Sequence, residues 1–328
     1  MSLRSLLGLG NKVPSPTPTA PMPRLAPPST GVGLYGKLPV QADFVRLNAG
    51  GFAAGAFDQW LEDGVGAVAA ARGTPNKNLI TFFVHAPMLP NACVGIIGPS
   101  QDKVGRTFPA ALFAYVDAGM AGAAAFAADA FGAFLFEAQA HVAGLPTATA
   151  TPDITAFSVP PPAAQMQSAE DAARSLADSN LREALTVVFG NAEPEGIEHA
   201  LATCLSACAS AKGRYPDKAL VTMDLPADDD RARDFWLALV NTALAWPTGA
   251  PSWLWDSEGD RLIVGLGPPT PALFVALSLP QWGSGRHWRV QAQRPDEAQP
   301  RMNLPEAARS CLTDPAATVG AFLDALSA

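Results

Sequence analysis

The sequence predicts an α/β protein, and three observations lead there. Leu79–His85 (LITFFVH), Ala92–Ile97 (ACVGII) and Pro109–Val116 (PAALFAYV) are short apolar runs bounded by turn residues, as buried strands are. Longer segments interleave with them, and their apolar residues recur at helical spacing, as Phe57, Trp60, Leu61, Val65 and Val68 do. Apolar residues make up 48% of the chain and charged residues only 16%, enough to build a large core. Strands and helices that alternate at this length make an α/β architecture.

In chain order, residues 11–30 carry seven prolines between Pro14 and Pro28, which excludes helix and central strand. Residues 1–30 therefore read as an extended, solvated tail that folding does not need, and the folded sequence begins at Gly31. Phe52–Arg72 is a helix stopped by Gly73-Thr-Pro75. After the three strands, Met120–Val142 is apolar nearly all round and reads as an enclosed helix. Pro146–Pro162 is either a domain boundary or a long surface connection.

Ser168-Ala-Glu-Asp171 offers a capping box for one helix running through Leu176, Leu181, Leu185 and Val188 to Gly190-Asn191. Pro194 opens the next, with Ile197, Leu201, Leu205 and Cys208 on one face. Ala219–Met223 is a strand, and Asp228-Asp-Asp230 starts a helix that Pro247 closes. Ser252–Trp255 and Arg261–Leu266 pair as strands about the turn 257–260, and Pro271–Leu277 is a short helix. Beyond Gln281 only Asp314–Leu326 has helical character. The organisation expected is a tail (1–30), an α/β domain (31–285) with an internal connection at 146–166, and a C-terminal extension (286–328) with a short helix.

Charge and composition exclude several functions. With 22 Lys and Arg against 30 Asp and Glu, the net charge is −8. Proteins that bind nucleic acid concentrate basic residues to replace phosphate counterions, so no nucleic-acid partner is expected. Ala118–Phe136 is long enough to suggest a membrane span, but it is mostly Ala and Gly, with Asp129 near its centre and no basic flanks. It reads as a core helix, with Asp129 reaching solvent or a partner group, and no membrane insertion is expected. The first ten residues lack the continuous apolar run of a secretory signal, so a cytoplasmic location is expected. Cys93, Cys204, Cys208 and Cys311 are too scattered for a disulfide framework; Cys204 and Cys208, four apart, read as small core residues of one helix.

The motifs of catalysis and cofactor binding fail on context. Gly31-Val-Gly-Leu-Tyr-Gly36 has the letters of a dinucleotide fingerprint, but no strand precedes it and Pro39 denies it the helix that would hold a pyrophosphate. There is no Walker A sequence and no G-x-S-x-G elbow. His85, His141, His199 and His287 are dispersed, and Asp228-Asp229-Asp230 suits the positive end of a helix dipole better than a cation. Neither an enzyme activity nor a cofactor or metal is expected.

Two segments stand out: Tyr35-Gly-Lys-Leu-Pro-Val-Gln-Ala-Asp-Phe-Val-Arg46, followed by Trp60-Leu61, and Gly98-Pro-Ser-Gln-Asp-Lys-Val-Gly-Arg-Thr-Phe-Pro109. Both set charges beside Gly and Pro between apolar strands. Either these are hairpin loops with solvated charges, or Asp43 and Arg106 meet and fix two loops through a charge-assisted bond. The second arrangement is expected, with Lys37–Arg46 and Asp102–Arg106 side by side at one end of the sheet and Asp43, partly enclosed, accepting from Arg106 or from backbone N–H groups. Lys37 and Lys103 are then left free on flexible stems for a partner.

At these residues the chain resembles the TagF (ImpM) proteins of bacterial type VI secretion, whose pattern is close to Y-G-K-L-P-x-x-G-D-F-V, then W-L, then P-S-x-D-R-V-G-R-x-F-P. The matching positions include Tyr35, Gly36, Lys37, Pro39, Asp43, Phe44, Trp60, Ser100, Asp102, Gly105, Arg106, Phe108 and Pro109. Ala42 stands where the family usually has Gly, and Lys103 where it usually has Arg. The resemblance is good over Gly31–Asp117, with a weaker echo at Trp253-Leu-Trp255, Gly265-Leu-Gly-Pro268 and Phe274. It implies a layered α/β/α sandwich with a mixed sheet. It also implies a cytoplasmic, non-catalytic accessory protein that acts as a post-translational brake on assembly or firing, linked to the FHA-domain scaffold of the apparatus. A hydrolase with a site assembled from dispersed loops and a structural subunit of the apparatus are the competing readings.

Overall fold

A computed structural model describes residues 31–49, 52–85, 91–117, 124–279, 286–292 and 304–327. The proline-rich segment 1–30 lies outside the described residues, as do 118–123 at the start of the helix expected over Met120–Val142.

Two hairpin-forming segments come first: β1 (Val32–Lys37) and β2 (Phe44–Leu47). They are followed by α1 (Phe52–Ala70), β3 (Ile80–Val84), β4 (Asn91–Gly98) and β5 (Ala110–Asp117). The helices α2 (Ala127–Ala130), α3 (Gly132–Gly144), α4 (Pro162–Asp178), α5 (Leu181–Phe189) and α6 (Pro194–Ala209) come next. β6 (Val221–Pro226), α7 (Asp230–Leu244), β7 (Ser252–Asp256), β8 (Arg261–Leu266) and α8 (Ala272–Ser278) follow. The chain ends in β9 (His287–Arg289), α9 (Glu306–Thr313) and α10 (Val319–Ser327).

The described strands form one mixed sheet in the order β2-β1-β5-β4-β3-β7-β8-β6-β9. Neighbours are antiparallel except β9, which runs parallel to β6. Period-2 alternation divides each strand between two cores. On β5, Ala110, Leu112, Ala114 and Val116 face one core, and Ala111, Phe113 and Tyr115 face the other. The first core is closed by α3 through Phe134, Ala138 and Val142 and by α5–α7 through residues such as Leu185, Leu201 and Trp236. The second is closed by α1 (Phe57, Trp60, Leu61) and α8 (Leu273 to Leu277). Helices on both faces of the sheet make the layered α/β/α arrangement.

Several element boundaries differ from expectation: the helix expected through Val142 is divided at Phe131 into α2 and α3, and others differ for identifiable reasons. The helix placed at Ser168 begins instead at Pro162, because a proline at the first helical position loses no hydrogen bond there; Gln165 also donates from Nε2 to the Pro160 carbonyl at 2.6 Å. That helix ends at Asp178, and the Asn180 side chain accepts from the N–H groups of Arg182 and Glu183 to start α5, so one expected helix is two. The C-terminal residues supply two helices rather than one. Leu181 N–H donates to Ala317 and Val319 N–H to Ser179, tying this segment to the α4–α5 junction, and Val319 and Phe322 enter the first core. Cys204 and Cys208 lie fully buried on α6.

Candidate functional site

From Val32 on, the Gly31–Gly36 segment is strand, not a phosphate loop, and β2 follows it rather than a helix. The site is built where β1 turns into β2 and where β4 turns into β5. Gly36 makes this junction possible. Its φ is +142°, and a Cβ there would fall 2.4 Å from the Pro109 carbonyl oxygen and 2.5 Å from Ala110 Cα. Only glycine lets β1 approach the start of β5 so closely. Ser100, buried, donates from Oγ to the Lys37 carbonyl at 2.6 Å.

The 99–109 loop folds around Asp102. Gln101 and Thr107 face each other in an antiparallel bridge, Asp102 N–H donates to the Arg106 carbonyl, and Gly105, at φ +86°, donates back to the Asp102 carbonyl. The Asp102 carboxylate is fully enclosed. Its Oδ1 accepts from Val104 N at 3.1 Å and Arg106 N at 2.9 Å. Its Oδ2 accepts from Arg106 Nε at 2.7 Å and lies 3.1 Å from Lys37 Nζ. Burial alone would raise its pKa; the Arg106 N–H, the Lys37 ammonium, the Arg106 guanidinium and the Val104 N–H outweigh that and hold it well below the usual carboxylate range. Lys103 N–H donates to the Gln41 carbonyl at 2.8 Å and Arg106 Nη2 to the Ala42 carbonyl, so the two loops are stitched side by side.

The expected Asp43–Arg106 pair is replaced by Asp102–Arg106. Gly105 folds the chain so that a carboxylate four residues away reaches the guanidinium first. Of the two donors expected for Asp43 the backbone one is found, Phe44 N at 2.8 Å, but the side chain is exposed rather than enclosed. Lys37 was expected to stand free for a partner; instead it is buried, paired with Asp102 and 5.3 Å from the Phe44 ring centroid. Lys103 is exposed as expected. Ala42 is not among the residues with positive φ, so the departure from Gly there carries no strain.

Aromatic residues support the loops from the α1 side. Tyr35 stacks on Phe44 at 5.5 Å, and Phe108 meets Phe44 edge-on at 4.9 Å, with Pro109 half-buried alongside and Pro39 half-buried in the opposite turn. Trp60 belongs to the packing of α1 on α8: its Nε1 donates to the Thr270 carbonyl, and its ring lies 4.6 Å from Phe274. That is also where the echo at Phe274 finds its physical reason.

Sequence reasoning passed over a second charged cluster beside Tyr35. Arg46 lies over the Tyr35 ring at 4.9 Å, with Nη1 3.1 Å from Asp58 Oδ2 and Nη2 3.5 Å from Glu62. Neither Asp58 oxygen receives a well-directed hydrogen bond. Burial pushes the Asp58 pKa up to about 6 despite the opposing pull of Arg46. Tyr35 donates to Glu62, and burial followed by that carboxylate pushes its phenol above the ordinary range. The hint in the sequence is a pair of acids one helical turn apart on α1, Asp58 and Glu62.

The 99–109 loop leaves a small tip in solvent, Lys103, Val104, Gly105 and Arg106, beside the exposed Gln41, Ala42 and Asp43 of the facing loop. Val104 is 65% exposed, one of few large apolar side chains so placed among the described residues. Among those residues there is no group of three or more His, Cys, Asp or Glu that could hold a metal ion, and no helix long and apolar enough to cross a membrane.

The family model of the TagF N-terminal domain, described as type VI secretion system-associated, matches residues 33–154. Over those residues, about a third of the chain, the protein is similar to that family. The matched stretch spans β1 to α3 and contains every motif residue named above. No curated protein matches the chain. Among solved structures, PA0076 from Pseudomonas aeruginosa PAO1 is similar at 24% identity over 43% of this chain and 78% of its own, with a TM-score of 0.30. The matched stretch contributes five neighbouring strands, and β7, β8, β6 and β9 extend the same sheet beyond it.

Proposed function

We propose that this protein is a non-catalytic regulator of a type VI secretion system, a post-translational brake on assembly or firing that works by occupying a partner. The partner we name is the FHA-domain scaffold of the apparatus, met in the cytoplasm. The observation that carries the reading is the match to the TagF N-terminal domain over residues 33–154. The geometry of the motif loops supports binding over chemistry: Lys37 and Arg106 are both tied to one carboxylate, Asp102, instead of converging on a cleft. What that network does is hold a tip in a fixed shape. A surface held in advance loses less conformational entropy when a partner arrives. The tip offers Lys103 and Arg106 as cations around the apolar Val104.

Deletion of the gene followed by a secretion assay tests the role. A brake predicts higher secretion from the deletion strain; abolished secretion would make the protein a component instead. Co-purification of the full chain with the FHA-domain scaffold, and its loss on charge reversal at the exposed Lys103, tests the partner.

A further inference from the structure

Between α3, α4 and α7 the first face of the protein opens into a groove of about 510 Å³, on the side of the sheet away from α1 and the motif loops. Its charge is unbalanced. Arg233, 3% exposed, lies against Trp255 with its guanidinium 4.7 Å from the ring centroid. Three carboxylates share it: Asp234 at 2.7 Å, Asp230 in direct contact, and Asp129 at a longer 3.4 Å. Asp129 thus finds the partner group expected for it, but it shares that group with two other acids. Burial first, and then the charge of Asp230, push the Asp129 pKa up despite Arg233. A second cation entering the groove would relieve that repulsion. The other wall is apolar, formed by Leu135 and by Phe136, which is 78% exposed. Phe136 thereby offers apolar surface at the rim of the groove that an occupant could cover.

The chain itself holds a segment of matching chemistry. Residues 1–30 carry Arg4, Lys12 and Arg24 and no Asp or Glu, and Leu3, Leu6 and Leu7 surround Arg4. We propose that this N-terminal segment docks in the α3–α4–α7 groove, with Arg4 among Asp129 and Asp230 and its neighbouring leucines against Phe136. Reach permits it. Gly31, whose carbonyl accepts from Tyr115 N, is two strands from the β4 residue Ile96 that lines the groove, about 10 Å across the sheet and about 10 Å along it. A chain as long as that between Arg4 and Gly31 could reach roughly 80 Å at about 3.1 Å per residue. Tethering also raises the local concentration of the segment to about the millimolar range, so a few charge and apolar contacts suffice to hold it.

The test places the photoreactive analogue p-benzoylphenylalanine at Phe136 in the full chain, an exposed position, and maps the crosslinks by mass spectrometry. Docking predicts intramolecular crosslinks concentrated in residues 1–12, falling at least fivefold in the R4Q/K12Q/R24Q chain and equally in an Asp230→Lys chain. Crosslinks absent from residues 1–30, or a yield that neither variant changes, would overturn the proposal. Crosslinks to a second copy would overturn it as well and assign the groove to self-association.

Discussion

Lys37 Nζ stands 3.1 Å from Asp102 Oδ2 with both side chains withdrawn from water, so the end of β1 and the tip of the β4–β5 loop are locked by one buried charge pair. The carboxylate, not the lysine, is the hub. It gathers two backbone N–H groups, an ammonium and a guanidinium, and the loop takes its shape from those four bonds.

Asp102→Asn should therefore lower the thermal midpoint by several degrees, because it strands a buried ammonium. Arg106→Gln should cost less than about 1 kcal/mol, since that guanidinium is 61% exposed and screened. Because folding depresses the Asp102 pKa, its contribution is complete above the unfolded value of 3.8 and fades as pH falls through the folded one. Thermal melts of the wild type and Asp102→Asn should differ at pH 7 and draw together as pH falls from 3.8 towards the folded pKa; equal midpoints at pH 7 would remove Asp102 from its central place.

Gly36→Ala tests the close approach of β1 to β5. The added methyl would meet the Pro109 carbonyl at 2.4 Å on a backbone with φ +142°. Overpacking and backbone strain together should cost about 3 kcal/mol or more in urea denaturation. Gly105→Ala, with open space around its Cβ, carries only the strain of its φ and should cost less.

Asp58 predicts a pH dependence of opposite sign. Its folded pKa is raised from 3.8 to about 6, so the folded state binds the proton more tightly and stability falls as pH rises through that window. Asp58→Asn should match the wild type near pH 4. Above pH 6 it should be more stable by about 1–2 kcal/mol, once solvent screening through the half-exposed Arg46 is allowed for. An Asn variant less stable at pH 7 would mean that the Arg46 ion pair outweighs the burial.

Much of this architecture was legible because local chemistry decides it. Asp229 caps α7 within a run of three acids, and β7 and β8 pair about the turn 257–260 as their alternation and turn residues require. β1 escaped because it is buried on both faces and contains two glycines, so it shows neither alternation nor β-branched enrichment. α4 escaped at its start because Pro160-Pro161-Pro162 reads equally well as a linker and as a helix entry. The motif loops were recognisable as a pair, yet their internal wiring was not. Asp43 and Asp102 are equivalent on paper, and only the turn at Gly105 decides which carboxylate Arg106 can reach.

The central claim is that the clamp exists to present the tip at Lys103–Arg106 to a partner of the secretion apparatus. Val104→Asp reads it most directly: the side chain is 65% exposed, so the change should alter stability by less than about 0.5 kcal/mol. In a strain carrying this substitution in the full-length protein at wild-type abundance, secretion should rise to the level of the deletion strain; secretion held as low as in the wild type would contradict the account.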